Sequence, residues 1–296
     1  MVNDSLSDSG EIRYNRVARL RRRTAITTAP GLTVGSERGS RMSTTLGSER
    51  ADVALDESTI GWEMATRVAR FDWRRIGAHL DADGYAMLDA VLLPDECDRI
   101  AGLYDKEDCF RSRIIMARHG FGQGEYKYFA YPLPSIIAAL RTSLYPRLVS
   151  TANAWNAALG IDVRYPAEHA AFLERCRSAG QTRPTPLLLR YREGDFNALH
   201  QDLYGEHVFP LQVAFLLSRP AIDFTGGEFV LTEQRPRMQS RVEVVPLRQG
   251  DAVIFAVHHR PAQGKRGSYR VTMRHGVSRL RSGSRHTVGV IFHDAA

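Results

Sequence analysis

Leu187-Leu188-Leu189-Arg190-Tyr191-Arg192-Glu193-Gly194-Asp195-Phe196-Asn197-Ala198-Leu199-His200-Gln201-Asp202 is the stretch on which the reading of this chain turns. It holds two short runs, 187–192 and 197–202, parted by turn residues, which is the texture of consecutive strands rather than of a helix. The texture continues through 211–217, 228–232, 242–245, 252–257, 269–277 and 287–293. Eight short strands at close intervals after Pro184 predict an antiparallel sandwich or barrel.

Working outward toward the N-terminus, the apolar spacing turns helical. Residues 62–100 read as helix, strand, helix: 84–94 alternates like a strand and ends at Pro94, and Pro94-Asp95-Glu96 has the proline and acidic residues of a helix start. A second helix is predicted over 135–158, with Ile136, Ile137, Leu140, Leu144, Leu148 and Trp155 as its apolar residues, and another over 166–179. The expected class is therefore α+β: one domain over 58–296, with helical support at 62–180 backing a β core at 184–296. Residues 1–57 are rich in Ser, Thr, Gly and Arg and poor in aromatics, the composition of a disordered tail. Met42 and Met64 are candidate alternative starts.

Composition excludes little. The 296 residues are 43% hydrophobic, as in ordinary globular proteins. Cys97, Cys109 and Cys176 show no paired spacing, which argues against a disulfide framework or a thiolate zinc site and for a reducing, cytoplasmic setting. No apolar run approaches the roughly 18 residues of a membrane span. The net charge of +7 biases encounters toward anionic partners, nucleic acid among them, without defining a site.

The chemistry starts at His200 and Asp202. Separated by one residue on a strand, imidazole and carboxylate leave the same face and could grip one metal ion. The pattern by itself equally fits a core or surface pair. His275 would complete a facial triad of two histidines and one carboxylate, an arrangement that leaves positions open for non-haem Fe(II). Residues 275–285 read as a hairpin turning near 280, which would put Arg285 opposite His275 on the next strand. A guanidinium there could fork onto a carboxylate whose other end the metal holds, with the Thr287 hydroxyl beside it.

The order His200-x-Asp202, then Gly226-Gly227-Glu228-Phe229, then Gly250-Asp251-Ala252-Val253-Ile254-Phe255, then His275 with Arg285 ten residues later resembles the 2-oxoglutarate- and Fe(II)-dependent oxygenase superfamily. The prolyl-hydroxylase-like branch fits, and so does a bacterial oxygenase family described as acting on damaged nucleic acids; the likeness covers about 62–296. The resemblance implies a double-stranded β-helix (jelly-roll) core, with His200, Asp202 and His275 as iron ligands and Arg285 as anchor of the distal carboxylate of 2-oxoglutarate. Thr287 and Tyr191 are implied as further co-substrate contacts. It implies Fe(II), 2-oxoglutarate and O2 as cofactor and co-substrates, in a dioxygenase that hydroxylates or oxidatively demethylates a substrate and releases succinate and CO2. One departure is the long interval between Phe255 and His275, which contains His258 and His259 as alternative distal ligands.

Two segments bear on the substrate. Residues 118–129 combine glycine, basic and aromatic residues and read as a mobile loop over the site, where Tyr126, Lys127, Tyr128 and Phe129 could stack bases and meet phosphates; ordinary edge-strand alternation explains these four equally well. Tyr204, Glu206 and His207 follow the His-x-Asp pair and are expected to line the pocket. Three functions fit these residues: an oxygenase of a small molecule or protein side chain, a demethylase of damaged DNA or RNA, and a metal-binding barrel without turnover.

Overall fold

In the computed structural model, residues 56–296 are described, apart from Tyr204 and Arg266. The expected tail thus lies outside the described residues except at its end, where the first helix begins. The chain opens with α1 (Glu57–Ala69), α2 (Trp73–Asp83), β1 (Tyr85–Leu88) and α3 (Pro94–Gly102). Next come β2 (Phe110–Ile115), β3 (Gly122–Gln123), β4 (Glu125–Phe129), α4 (Ser135–Ala158) and α5 (His169–Ser178). The core follows as β5 (Leu187–Arg192), β6 (Phe196–His200), β7 (Leu211–Leu216), β8 (Phe224–Gly226) and β9 (Phe229–Gln234). It closes with β10 (Arg241–Val245), β11 (Ala252–Ala256), β12 (His259–Gly264), β13 (Gly267–Val277) and β14 (Leu280–Val290).

One sheet runs β1-β11-β7-β14-β5-β4-β2, with β8 attached to β14; the other runs β10-β9-β13-β6-β3, with β12 attached to β13. The core passes repeatedly from one sheet to the other: β5 in the larger, β6 in the smaller, β7 and β8 in the larger, β9 and β10 in the smaller, β11 in the larger, β12 and β13 in the smaller and β14 in the larger. This winding is the double-stranded β-helix.

Strand period decides where each side chain goes. Along β7, Val213 and Phe215 point to the helices and join Leu140, Leu144, Leu148 and Trp155 of α4 in one core. Ala214 and Leu216 point the other way and join Phe229, Leu231, Val253, Phe255 and Val277 between the sheets. Burying side chains of this size contributes about 1.5–3 kcal/mol each. The helices thus back the larger sheet and leave the space between the sheets for the site.

Several expectations are corrected. The segment before β1 forms two helices rather than one, because Asp72 caps a new start: its carboxylate accepts the Arg75 backbone N–H at 3.0 Å. Met64 is buried inside α1, so a start there would cut that helix. Residues 118–129 are no loose loop: β4 is hydrogen-bonded between β2 and β5, and β3 extends the smaller sheet beside β6. The long interval after Phe255 is taken up by β12, which pairs back onto β13.

The predicted hairpin of 275–285 does not form either. After Val277 the chain passes through Ser278 and Arg279 into the opposite sheet, so β13 and β14 do not pair. Arg285 stands opposite Tyr191 on β5, and His275 opposite His200 on β6. No helix among the described residues is long and apolar enough to cross a membrane.

Candidate metal centre

Because β13 pairs with β6, His275 and His200 are direct cross-strand neighbours, with ring centres 4.1 Å apart. The backbones approach closely here because the next residue is glycine: a Cβ on Gly276 would lie 2.7 Å from the Asn197 carbonyl oxygen. β6 ends at His200, so Asp202 lies just past the strand rather than on it. Gln201 ties that segment down by donating from Nε2 to the Met273 carbonyl at 2.7 Å. Asp202 faces both histidines, Oδ1 at 3.4 Å from His200 Nε2 and Oδ2 at 3.3 Å from His275 Nε2.

One ligand atom from each of His200, Asp202 and His275 lies within 4.8 Å of the others, and the three could hold a metal ion. The orientation of His200 is set for it: Nδ1 donates to the Ala198 carbonyl at 2.8 Å, which turns Nε2 toward Asp202 and leaves it as the ring atom available to a metal. Burial alone would raise the Asp202 carboxyl, but hydrogen bonds from His200 and His275 and their charge outweigh it and hold the group well below its usual range. His275 is shifted down, by burial first and by the neighbouring His200 second. Burial pulls His200 the same way, yet its contact with Asp202 prevails and shifts it up. The result is an anionic carboxylate between two imidazoles, the charge pattern that a divalent cation would complete.

These residues open into a cavity of about 230 Å³ between the sheets, also lined by Tyr126, Tyr128, Tyr191, Gln212, Arg285 and Thr287. Arg285 is buried on the opposite wall and donates from Nη1 to Thr287 Oγ1 at 2.5 Å. Burial lowers its guanidinium to about 10 and raises the Tyr191 phenol to about 12, so at neutral pH a cation and a neutral phenol face the cavity. The Tyr191 hydroxyl and Arg285 Nε are buried with no hydrogen-bond partner. Gly227 makes room for the arginine: with φ at +65°, a Cβ there would lie 2.4 Å from Leu280 Cδ1 and 3.1 Å from Arg285 Cδ. Gly227 of the sequence motif thus makes room for Arg285 rather than for the His-Asp-His cluster, while Gly226 lies against the Arg279 carbonyl.

Other predicted residues fall elsewhere. Alternation on β4 sends Tyr126 and Tyr128 into the cavity but Lys127 and Phe129 away from it, Lys127 donating to the Tyr104 carbonyl at 2.8 Å. A four-residue base-stacking surface is therefore not formed. Glu206 is exposed, and His207 is held through its backbone by Gln181; neither lines the cavity, and Tyr204 lies outside the described residues. His258 and His259 stack on each other and are not among the clustered ligands. Gln212 and Phe255 were not anticipated as cavity residues; a lone amide inside the apolar run Leu211-Gln212-Val213-Ala214-Phe215-Leu216 was the available signal for the former.

Residues 124–295 match a family described as "Oxygenase, catalysing oxidative methylation of damaged DNA". An uncharacterized protein found in two strains of Mycobacterium tuberculosis is 50% identical over 168 residues, 57% of this chain and 72% of the relative. The chain belongs to this oxygenase family. Solved structures resemble the oxygenase more loosely. An oxidoreductase of the 2OG-Fe(II) oxygenase family from Burkholderia pseudomallei is 16% identical, over 77% of this chain and 94% of that one, with a TM-score of 0.47. A prolyl-4-hydroxylase from Pseudomonas putida is 13% identical, over 76% of this chain and 99% of that one, with a TM-score of 0.44.

Proposed function

We propose that this oxygenase is an Fe(II)- and 2-oxoglutarate-dependent dioxygenase in which His200, Asp202 and His275 hold the iron and Arg285, with Thr287 and Tyr191 beside it, takes the distal carboxylate of 2-oxoglutarate. The observation that carries this reading is the pairing, across one cavity, of a clustered His-Asp-His set with a buried arginine that makes no ion pair among the described residues. A metal site built only for structure has no need of a buried cation on the facing wall. The donor set fits the metal: two imidazoles and one carboxylate on one side leave the cavity side open.

When bound, Fe(II) with 2-oxoglutarate and O2 supplies the oxidant for a substrate C–H bond, with succinate and CO2 released. The protein's own part is positioning. The bond from His200 Nδ1 to Ala198 keeps Nε2 available as a donor to metal. Asp202 stays ionised because both histidines face it. Arg285 offers two parallel N–H donors, the geometry a carboxylate accepts. Phe229, Phe255, Leu187, Leu189 and Ile291 exclude bulk water from the space between.

The test is anaerobic titration of the iron-loaded protein with 2-oxoglutarate, followed by a screen for substrates that stimulate succinate release. Saturable binding that disappears in Asp202→Ala supports the reading; metal uptake without 2-oxoglutarate binding defeats it and leaves a barrel without turnover. Methylated DNA is the first substrate to try, because the family description names damaged DNA and the chain carries a net charge of +7. Stimulation by that oligonucleotide should weaken steeply with added salt.

A further inference from the structure

Four residues that line the central cavity each carry a buried side-chain atom that lacks a hydrogen-bond partner: the Tyr191 hydroxyl, His275 Nδ1, Arg285 Nε and Gln212 Nε2. The first three belong to residues already given a part in the proposed reading. Gln212 has none, and it is only 4% exposed. An amide nitrogen buried without a partner costs about 1–3 kcal/mol. Leucine or methionine would fill the same place on β7 at no such cost.

Register fixes which end of the cavity Gln212 serves. The β7 and β14 pairing aligns Val213 with Val290 and Ala214 with Gly289, so Gln212 stands beside Ile291. Along β14 that is six residues from Arg285, roughly 20 Å of extended strand. The guanidinium itself ends beside Thr287, four residues or roughly 13 Å of strand from Ile291, so a carboxylate gripped by Arg285 sits toward the other end of the cavity from Gln212. On its other side Gln212 is opposite Phe255 on β11, whose ring centre lies 4.6 Å from that of His275. The amide thus belongs to the metal-facing end. The Gln201 amide is committed to the Met273 carbonyl and leaves that role open.

Resting on the reading above, we infer that Gln212 donates a hydrogen bond to the keto-acid end of 2-oxoglutarate, so that the co-substrate is oriented by polar contacts at both ends, Arg285 at one and Gln212 at the other.

The experiment compares Gln212→Leu and Gln212→Glu with the unaltered protein, using anaerobic titration of the Fe(II)-loaded chain with 2-oxoglutarate. Two readouts are taken, the dissociation constant and the visible absorption band that an iron-bound keto acid produces. Gln212→Leu should weaken 2-oxoglutarate about tenfold, or about 1.4 kcal/mol, and displace the band, while melting at the same temperature or higher. Gln212→Glu should weaken it further, because a carboxylate would then face a carboxylate. Gln212→Met takes the place of the leucine variant should that one not fold. Wild-type affinity and an undisplaced band in Gln212→Leu overturn the inference alone. Absence of the band in the unaltered protein overturns the underlying reading, and the inference with it.

Discussion

Arg285 and Tyr191 stand opposite each other on β14 and β5, with the guanidinium carbon 5.6 Å from the centre of the phenol ring. Phe224 flanks the same group at 5.8 Å, and among the described residues no carboxylate pairs with it. Aromatic faces attract a cation but compensate only part of its desolvation. The protein therefore folds around a buried positive charge that no carboxylate pairs with among the described residues, and that a bound anion could neutralise.

Arg285→Gln should accordingly separate binding from stability. The affinity for 2-oxoglutarate should fall by about 2–5 kcal/mol, the usual cost of truncating one partner of a buried charge pair. The melting temperature of the ligand-free protein should hold or rise, because an unpaired buried charge is removed. Calorimetric titration and a thermal melt of the same sample check both; a lower melting temperature would mean that the arginine is chiefly structural.

Gly227→Ala should reach the same binding defect by a different route. The added methyl group meets Leu280 and the Arg285 side chain, and the backbone is already at a φ that L-residues rarely adopt. A loss of about 1–3 kcal/mol in stability should accompany weaker 2-oxoglutarate binding, with iron affinity little changed. Urea unfolding and the two ligand titrations measure these separately.

Asp202→Asn keeps the shape of the side chain but removes the anion between His200 and His275. Iron retained after anaerobic loading and desalting should drop at least about tenfold, the lower bound expected when even a supporting group of a metal site is lost. Elemental analysis reads this directly; stoichiometric iron in the variant would place the metal elsewhere.

Acid stability should depend strongly on two histidines outside the candidate ligand set, His169 and His293. Both are buried, and burial, with the nearby Arg141 second, lowers each to about 3. Each stays neutral in the folded chain, whereas in the unfolded chain it takes up a proton near its ordinary pKa of about 6.5. The unfolded state therefore binds more protons below that pH. The stabilisation is fully present above about pH 6.5 and is lost as pH falls toward 3, at about 1.4 kcal/mol per pH unit per histidine. Denaturant unfolding at pH 7 and pH 5 should show the decline, and His169→Gln should flatten it.

How much could be read in advance depended on how local each feature was. The pairing of His200 with Asp202 was legible because side chains one residue apart on an extended chain share a face, and it holds although Asp202 lies past the strand end. The α4 helix was legible over its full 135–158 span because its apolar residues keep helical spacing through many turns. The partner of β14 was not legible. Ser278 and Arg279 would look the same in a hairpin as in a corner between sheets, and only contacts distant in sequence, to Tyr191 and Leu216, decide between them. Alternation along β4 was visible too, but which of its faces met the cavity depended on β2 and β5 closing around it.

That corner has a consequence for selectivity. The candidate metal ligand His275 and the candidate anchor Arg285 sit on two walls joined by a link of two residues, and stacked sheets keep a separation of about 10 Å. The spacing between the candidate metal and the candidate carboxylate anchor is thus a fixed gauge set by the thickness of the sandwich, with no flexible loop to adjust it. Homologous keto diacids one carbon shorter or longer should fit that gauge poorly even though they carry the same charges.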